Sequence, residues 1–121
     1  MAKASVRDSI IASLGNALKS EVVEVPEWGV QVMVRELSAS EHDAYQAALV
    51  NVGKGGGYTV DLSNHRCELL VRALRDLDGK RLFQDREVSV LGQAPSPVID
   101  RLYAIAQRVT GIEESGEVGN G

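Results

Sequence analysis

Apolar residues near the start of the chain recur at helical spacing. Val6, Ile10, Ile11, Leu14 and Leu18 stand three and four apart and so share one helical face. Ser5 with Asp8 resembles a capping box, in which side-chain oxygens satisfy the free amides of a first turn. Together they predict a helix over residues 5–19, weakened slightly at Gly15. The period then drops to two. Val23 and Val25 alternate with Val22 and Glu24, and Val30, Val32 and Val34 alternate with Gln31, Met33 and Arg35. Alternation rich in β-branched residues predicts two strands. Pro26, Glu27, Trp28 and Gly29 interrupt them, and a proline that presets φ beside a glycine free to take positive φ predicts a β-hairpin.

Helical patterning returns at Ser38-Ala39-Ser40-Glu41, a clear capping box. It opens a helix expected to run to about Val52, with Ala44, Tyr45, Ala48, Leu49 and Val52 as its apolar stripe. The alanines imply close packing on another element. Gly53–Gly57, with four glycines in five residues, cannot hold regular structure cheaply and reads as a flexible loop. A further helix is expected from Leu62 or Ser63 to Leu74, buried along Cys67, Leu70, Val71 and Leu74. Asp78-Gly79 is a tight-turn signal that adds either a short third strand or only a loop. Asp85 to Leu91 reads as a short helix closed by Gly92. Ser96-Pro97 supplies an N-cap and a first-turn proline for a last helix to about Thr110, with Val98, Ile99, Leu102, Ile105, Ala106 and Val109 inward. Gly111 ends it. The fold expected is α+β: a β-hairpin packed with about four helices in one domain over residues 1–111. Residues 112–121 have almost nothing to bury and read as a flexible, disordered acidic tail.

Composition narrows the function more than the fold. The 121 residues are 44% hydrophobic and 25% charged, the usage of an ordinary globular domain. One cysteine allows no internal disulfide. No stretch approaches the roughly 20 apolar residues of a membrane span, and MAKASVRDSI lacks the apolar core of a signal peptide. The expectation is a soluble protein of a reducing cytosol. A net charge of −4 argues against a dedicated nucleic-acid binder. Residues 1–65 hold 5 basic and 8 acidic side chains, residues 66–108 hold 8 and 6, and the tail adds three glutamates. Such unevenness is either ordinary surface variation or a basis for contact between copies. The arginines from Arg66 to Arg108 are not interleaved with aromatic residues, so no stacking platform for single strands is built.

Catalytic chemistry finds no pattern to rest on. Lys54 follows a helix and precedes more glycines, the reverse of a phosphate-binding loop. His65 and Cys67 stand two apart, so on a helix they face different ways and do not chelate one metal. Cys67 reads as a small core residue. No serine, histidine and aspartate share a recognisable spacing. The expectation is a protein that is not an enzyme and holds no cofactor or metal.

Four segments carry a resemblance. VEVPEWGVQVMVREL, the capped SASEHDAYQAAL, LVRALRDLDGKRLFQDREVSVLG and DRLYAIAQRVTGI, in this order and spacing, are similar to the tail assembly chaperones of long-tailed bacteriophages. The most specific pieces are Val25-Pro26-Glu27-Trp28-Gly29, Asp78-Gly79-Lys80-Arg81-Leu82-Phe83 and Asp100-Arg101-Leu102. The resemblance spans about Glu21 to Ile112. It implies a protein that holds the long helical tape measure protein in the host cytoplasm until tail tube subunits polymerise around it, and that is absent from the mature virion. It also implies self-association, and tail tube protein recruited by a longer, frameshifted form. No membrane or nucleic-acid partner is implied. The family's longer acidic end is replaced here by GIEESGEVGNG. The alternative is a minor structural or tail completion protein kept in the virion. A chaperone of this kind works through exposed apolar surface, and the residues expected to meet partners are Val6, Ile10, Ile11, Leu14 and Trp28. The opposing expectation is that the helix positions pack on their own domain and that Trp28 folds back as a lid on the core.

Overall fold

The computed structural model describes residues 5–14 and 18–112. Five α-helices are present among them: α1 (Val6–Ser13), α2 (Ala39–Ala48), α3 (His65–Ala73), α4 (Val88–Leu91) and α5 (Ser96–Thr110). Strands β1 (Ser20–Val25), β2 (Val30–Arg35) and β5 (Leu74–Arg75) form one antiparallel sheet in the order β1-β2-β5. Strands β3 (Val50–Val52) and β4 (Tyr58–Val60) form a separate two-stranded one.

The first hairpin forms as its alternation predicts. Its register runs from Ser20 opposite Arg35 to Val25 opposite Val30. Pro26–Trp28 makes a short 3-10 turn, and Gly29 closes it at φ 68°, a conformation that costs a side-chain-bearing residue energy. Residues of one parity, Val23, Val25, Val32 and Val34, face the core and are buried. The short strand β5 joins the other edge, Met33 opposite Arg75 and Val34 opposite Leu74, so the segment before Asp78-Gly79 does add a third strand. Helices α3 and α5 pack on each other and against β2. Leu69, Leu70, Leu74 and Leu102 are completely covered there. Each such burial contributes about 1.5–3 kcal/mol.

Several boundaries depart from the pattern-based expectation. Helix α1 spans Val6–Ser13, shorter than the expected 5–19, and residues 15–17 lie outside those described. Ser5 caps it, its Oγ accepting from the Asp8 amide at 3.0 Å. Helix α2 has both halves of its capping box, Glu41 N–H to Ser38 Oγ at 3.2 Å and Ser38 N–H to Glu41 Oε1 at 2.9 Å. It ends at Ala48 and not near Val52. Val50 and Val52 prefer an extended chain, and they find a partner strand in Val60 and Tyr58. The glycine run is therefore the tip of a second hairpin. Gly55 and Gly56 take φ 86° and 91°, and the Gly53 amide donates to the Gly57 carbonyl at 2.6 Å. The close packing expected of the alanine face is likewise absent, since Tyr45 is the one buried residue of α2.

Helix α3 starts at His65, later than expected, for a local reason. The Asp61 carboxylate accepts from the Ser63 amide at 2.9 Å and the Ser63 hydroxyl at 2.7 Å, which holds residues 61–63 in a turn. Helix α5 starts one residue early. Ser96 is its first residue and Pro95 the cap, while the Ser96 hydroxyl accepts from Arg66 at 3.2 Å instead of capping. Gly111 ends α5 at φ 75°, as expected. Ile112 still packs against the core. The rest of the acidic tail lies outside the described residues.

Candidate partner-binding surface

The expected contact residues fall into two environments. On α1 and at Leu14, which caps its C-terminus, all four are open to solvent: Val6 is 79% exposed, Ile10 54%, Ile11 48% and Leu14 61%. No residue of α1 is buried. At 100° per residue these side chains cover an arc of roughly 140°, with the stem of Arg7 inside it. Packing of this face onto its own domain, the opposing expectation, does not occur. Trp28 is different. It is half-buried and packs against the core at the tip of the first hairpin, so the lid reading holds for much of its surface. The five residues therefore differ in how much surface they leave open.

A second apolar face was not singled out by the helical reading of its sequence. In the β3–β4 register, Val50 lies opposite Val60 and Val52 opposite Tyr58. Paired residues and residues two apart share a face of a ribbon. All four therefore point one way, with Asn51 and Thr59 on the other side. They are 37%, 59%, 77% and 71% exposed respectively. The signal was present as two short alternations, Val-Asn-Val and Tyr-Thr-Val, around the glycines. The hairpin is tied to the body at its base, where the Asp61 amide donates to the Leu49 carbonyl at 2.6 Å and Leu49 packs on the core.

Behind these open faces the domain is fastened by arginines. Arg75 donates to Glu41 at 2.5 Å and Arg35 lies 3.4 Å from the same carboxylate, which joins β5, β2 and α2. Burial opposes ionisation of Glu41, but the Ser38 amide and the charges of Arg75 and Arg35 outweigh it and lower its pKa. Arg72 pairs with Glu68 at 2.9 Å and with Asp85 at 3.5 Å, and Arg81 reaches Asp85 at 2.6 Å and the Val71 carbonyl at 2.8 Å. The Nε atoms of Arg35, Arg72, Arg75 and Arg81 are buried without an acceptor among the described residues. Leaving such donors unmet costs free energy, which offsets part of what the ion pairs contribute. Arg101 of α5 forks onto Glu27 at 2.7 and 2.9 Å. That hydrogen-bonded pairing, with a backbone donor at Glu27, brings the Glu27 pKa down to about 2.

These contacts explain the distinctive sequence pieces. Val25, Glu27 and Gly29 build the first hairpin tip, and Arg101 grips Glu27 while Leu102 fills the core beneath. Asp76 accepts from the Asp78 and Lys80 amides at 2.9 and 3.0 Å and shapes the Asp78-Gly79 turn, from which Arg81 reaches back to α3. Most of the recognisable residues fasten the domain, while the exposed apolar side chains of α1 and of the β3–β4 hairpin lie outside these pieces.

Little supports other chemistry. A shallow cavity of about 120 Å³ is lined by Arg66, Cys67, Ser96 and Ile99, among others. Arg66 there is already engaged by Asp100. Burial pushes the Cys67 thiol up, away from the thiolate a nucleophile needs. No group of three or more His, Cys, Asp or Glu side chains among the described residues is placed to hold a metal ion. No helix among them is long and apolar enough to cross a membrane.

Comparison with known proteins follows the same line. Residues 5–118 match the model of a family described as phage tail assembly chaperone. The fold is similar to the solved structure of the bacteriophage HK97 tail assembly chaperone, with a TM-score of 0.57 and 26% sequence identity over 84% of this chain and 97% of that one. No curated protein sequence matches.

Proposed function

Because this chain belongs to the phage tail assembly chaperone family, we propose that it binds the tape measure protein, keeps it soluble in the host cytoplasm and leaves before the virion is complete. The observation that carries this reading is the pairing of a family match across residues 5–118 with the solvent-exposed apolar face of α1. A holder of a long helical protein needs apolar surface that its own core does not consume. Val6, Ile10, Ile11 and Leu14 provide it, and the exposed part of Trp28 adds a smaller contact. The role is one of binding, with no catalytic step. Copies of the chain associate with one another so that many can line an extended partner, and a longer, frameshifted form recruits tail tube protein.

Co-expression tests the central claim. With this chain present, the tape measure protein moves from the insoluble to the soluble fraction. An Ile10→Gln/Leu14→Gln variant loses most of that effect while its own melting temperature stays unchanged. An unchanged insoluble fraction with the wild-type chain would remove the proposal. Mass spectrometry of purified virions addresses departure: a chaperone is missing, whereas a retained minor tail protein is found.

A further inference from the structure

The two edges of the three-stranded sheet are closed differently. Strand β5 has 2 residues, and Arg75 is bridged further out by Arg81. Strand β1 forms the other edge and has 6 residues. Its register against β2 runs unbroken from Ser20 to Val25, with no bulge and no proline inside it. In an antiparallel ladder alternate residues aim both backbone groups at the partner strand, and the residues between them aim theirs away. The Glu36 amide donates to the Lys19 carbonyl at 2.7 Å, which fixes the phase. Glu21, Val23 and Val25 therefore bond to β2, while Ser20, Val22 and Glu24 turn their N–H and C=O groups outward. Among the described residues no backbone hydrogen bond from another element meets these groups. All three residues are exposed. A long open edge of this kind is a template for a further strand.

The end of this edge also has a shape and a charge. Glu24 stands opposite Gln31, on the sheet face turned away from the core. The two flank a shallow hollow of about 250 Å³, with Pro26 and Val30 in its wall. The nearby Glu21 and Glu27 are taken by Arg108 and Arg101, whereas Glu24 has no ion pair among the described residues.

We propose that β1 receives a strand from a partner protein, an extended segment with a lysine or arginine opposite Glu24 and an apolar residue opposite Val22. Added strands bind through their main chain and are read through alternate side chains. The new strand lies about 5 Å beyond β1. From there a basic side chain lays its aliphatic stem along Pro26 and Val30 and brings its charge to Glu24. Charge selects this occupant over the two nearest alternatives. The chain's own last residues hold Glu113, Glu114 and Glu117 and nothing basic, the wrong sign for Glu24. A second copy's β1 would pair outward residue with outward residue. It would set Ser20, Val22 or Glu24 opposite Glu24, and none of these is basic. No residue of this site belongs to the α1 face proposed for the tape measure protein.

A blocked heptapeptide, Thr-Lys-Thr-Val-Thr-Lys-Thr, added to the full chain tests the site, with backbone amide shifts in nuclear magnetic resonance as the readout. The largest shifts are expected at Ser20, Val22 and Glu24. Glu24→Lys weakens binding about threefold or more, because an attractive cross-strand charge pair becomes a repulsive one. A peptide N-methylated at its valine and lysines, whose amides face β1, loses binding. One methylated at its threonines, whose amides face away, keeps it. Equal binding by the two methylated peptides overturns strand addition, as do shifts confined to α1 or to the β3–β4 hairpin. Equal binding by a peptide with glutamates in place of its lysines also overturns the proposal. Binding that appears only after residues 113–121 are removed gives the edge to the chain's own tail. Shifts at β1 that grow with chain concentration in the absence of peptide give it to a second copy. Either result overturns the proposal. None of these readings involves tape measure solubility, which the co-expression assay reports separately.

Discussion

The two hairpins of this domain are built from the same material and meet opposite fates. In β1–β2, Val23, Val25, Val32 and Val34 line one face and are buried. In β3–β4, Val50, Val52 and Val60 line one face with Tyr58 and are exposed. The difference is what lies above them. Helices α3 and α5 cover the first, fastened by Arg101 on Glu27 and Arg108 on Glu21 at 2.7 Å. Among the described residues nothing of comparable size covers the second. A valine-rich strand face specifies only that something apolar must sit on it, and whether that is the chain's own helix or another molecule is decided elsewhere in the fold.

The sharpest way to break the first region is to hollow it. Leu102 is completely buried between α5 and the sheet, so Leu102→Ala leaves a cavity and costs about 3 kcal/mol. Chemical denaturation reads the loss. Next comes the arginine clamp. Glu41→Gln keeps an oxygen for the Ser38 amide but leaves Arg75 and Arg35 without a counter-charge, and Arg75 is buried. Removing one partner from a fully buried pair costs about 3–5 kcal/mol, and the partial exposure of Glu41 brings the expected loss to about 2 kcal/mol. A melting temperature unchanged by Glu41→Gln would mean the clamp adds no stability.

A matched substitution compares the hairpins directly. Val34→Thr puts a hydroxyl into the core and costs about 1–2 kcal/mol. The chemically identical Val52→Thr leaves protomer stability within about 0.5 kcal/mol, measured at low concentration. Equal losses at the two positions would show that the second hairpin is as firmly covered as the first.

How much of this was legible beforehand follows from the same contrast. Where alternation ran for six residues and ended in Pro26 and Gly29, as in β1–β2, strands and turn could be read directly. The caps at Ser38 and Gly111 were equally plain, because each is a local hydrogen-bonding or φ requirement. The second hairpin was hidden. Three-residue alternations are too short to outweigh the helical spacing of Ala44, Tyr45, Ala48 and Leu49, which Val52 extends by chance. The start of α3 depended on the Asp61 turn, a competition between side chain and backbone that periodicity does not register. Of the expected contact residues, the α1 set stands open as anticipated, while Trp28 is mostly given to the core. Of the Arg35, Arg72, Arg75 and Arg81 cluster, only Glu68–Arg72 and Arg81–Asp85 stand at the four-residue spacing a sequence displays, while Arg75 meets Glu41 from 34 residues away.

Acid tests the fastening of the covered hairpin with a smaller effect. Glu27 has its pKa lowered from 4.5 to about 2 by Arg101, and Glu41 is lowered in the same sense. A carboxylate whose pKa falls on folding lends stability in full above its unfolded pKa and loses it as pH drops through the folded value. Stability is therefore expected to be flat above about pH 5 and to fall between 4.5 and about 2. Arg101→Gln removes the partner that lowers the Glu27 pKa, so the decline across that window becomes shallower while the part due to Glu41 remains. Glu27 is exposed, so the change is modest and best read from urea midpoints at several pH values. An identical pH profile in the variant would mean that the Arg101 fork does not couple the hairpin tip to α5 in solution. The β3–β4 hairpin has no ion pair to α3 or α5 among the described residues, so substitutions on its apolar face leave the acid profile unchanged.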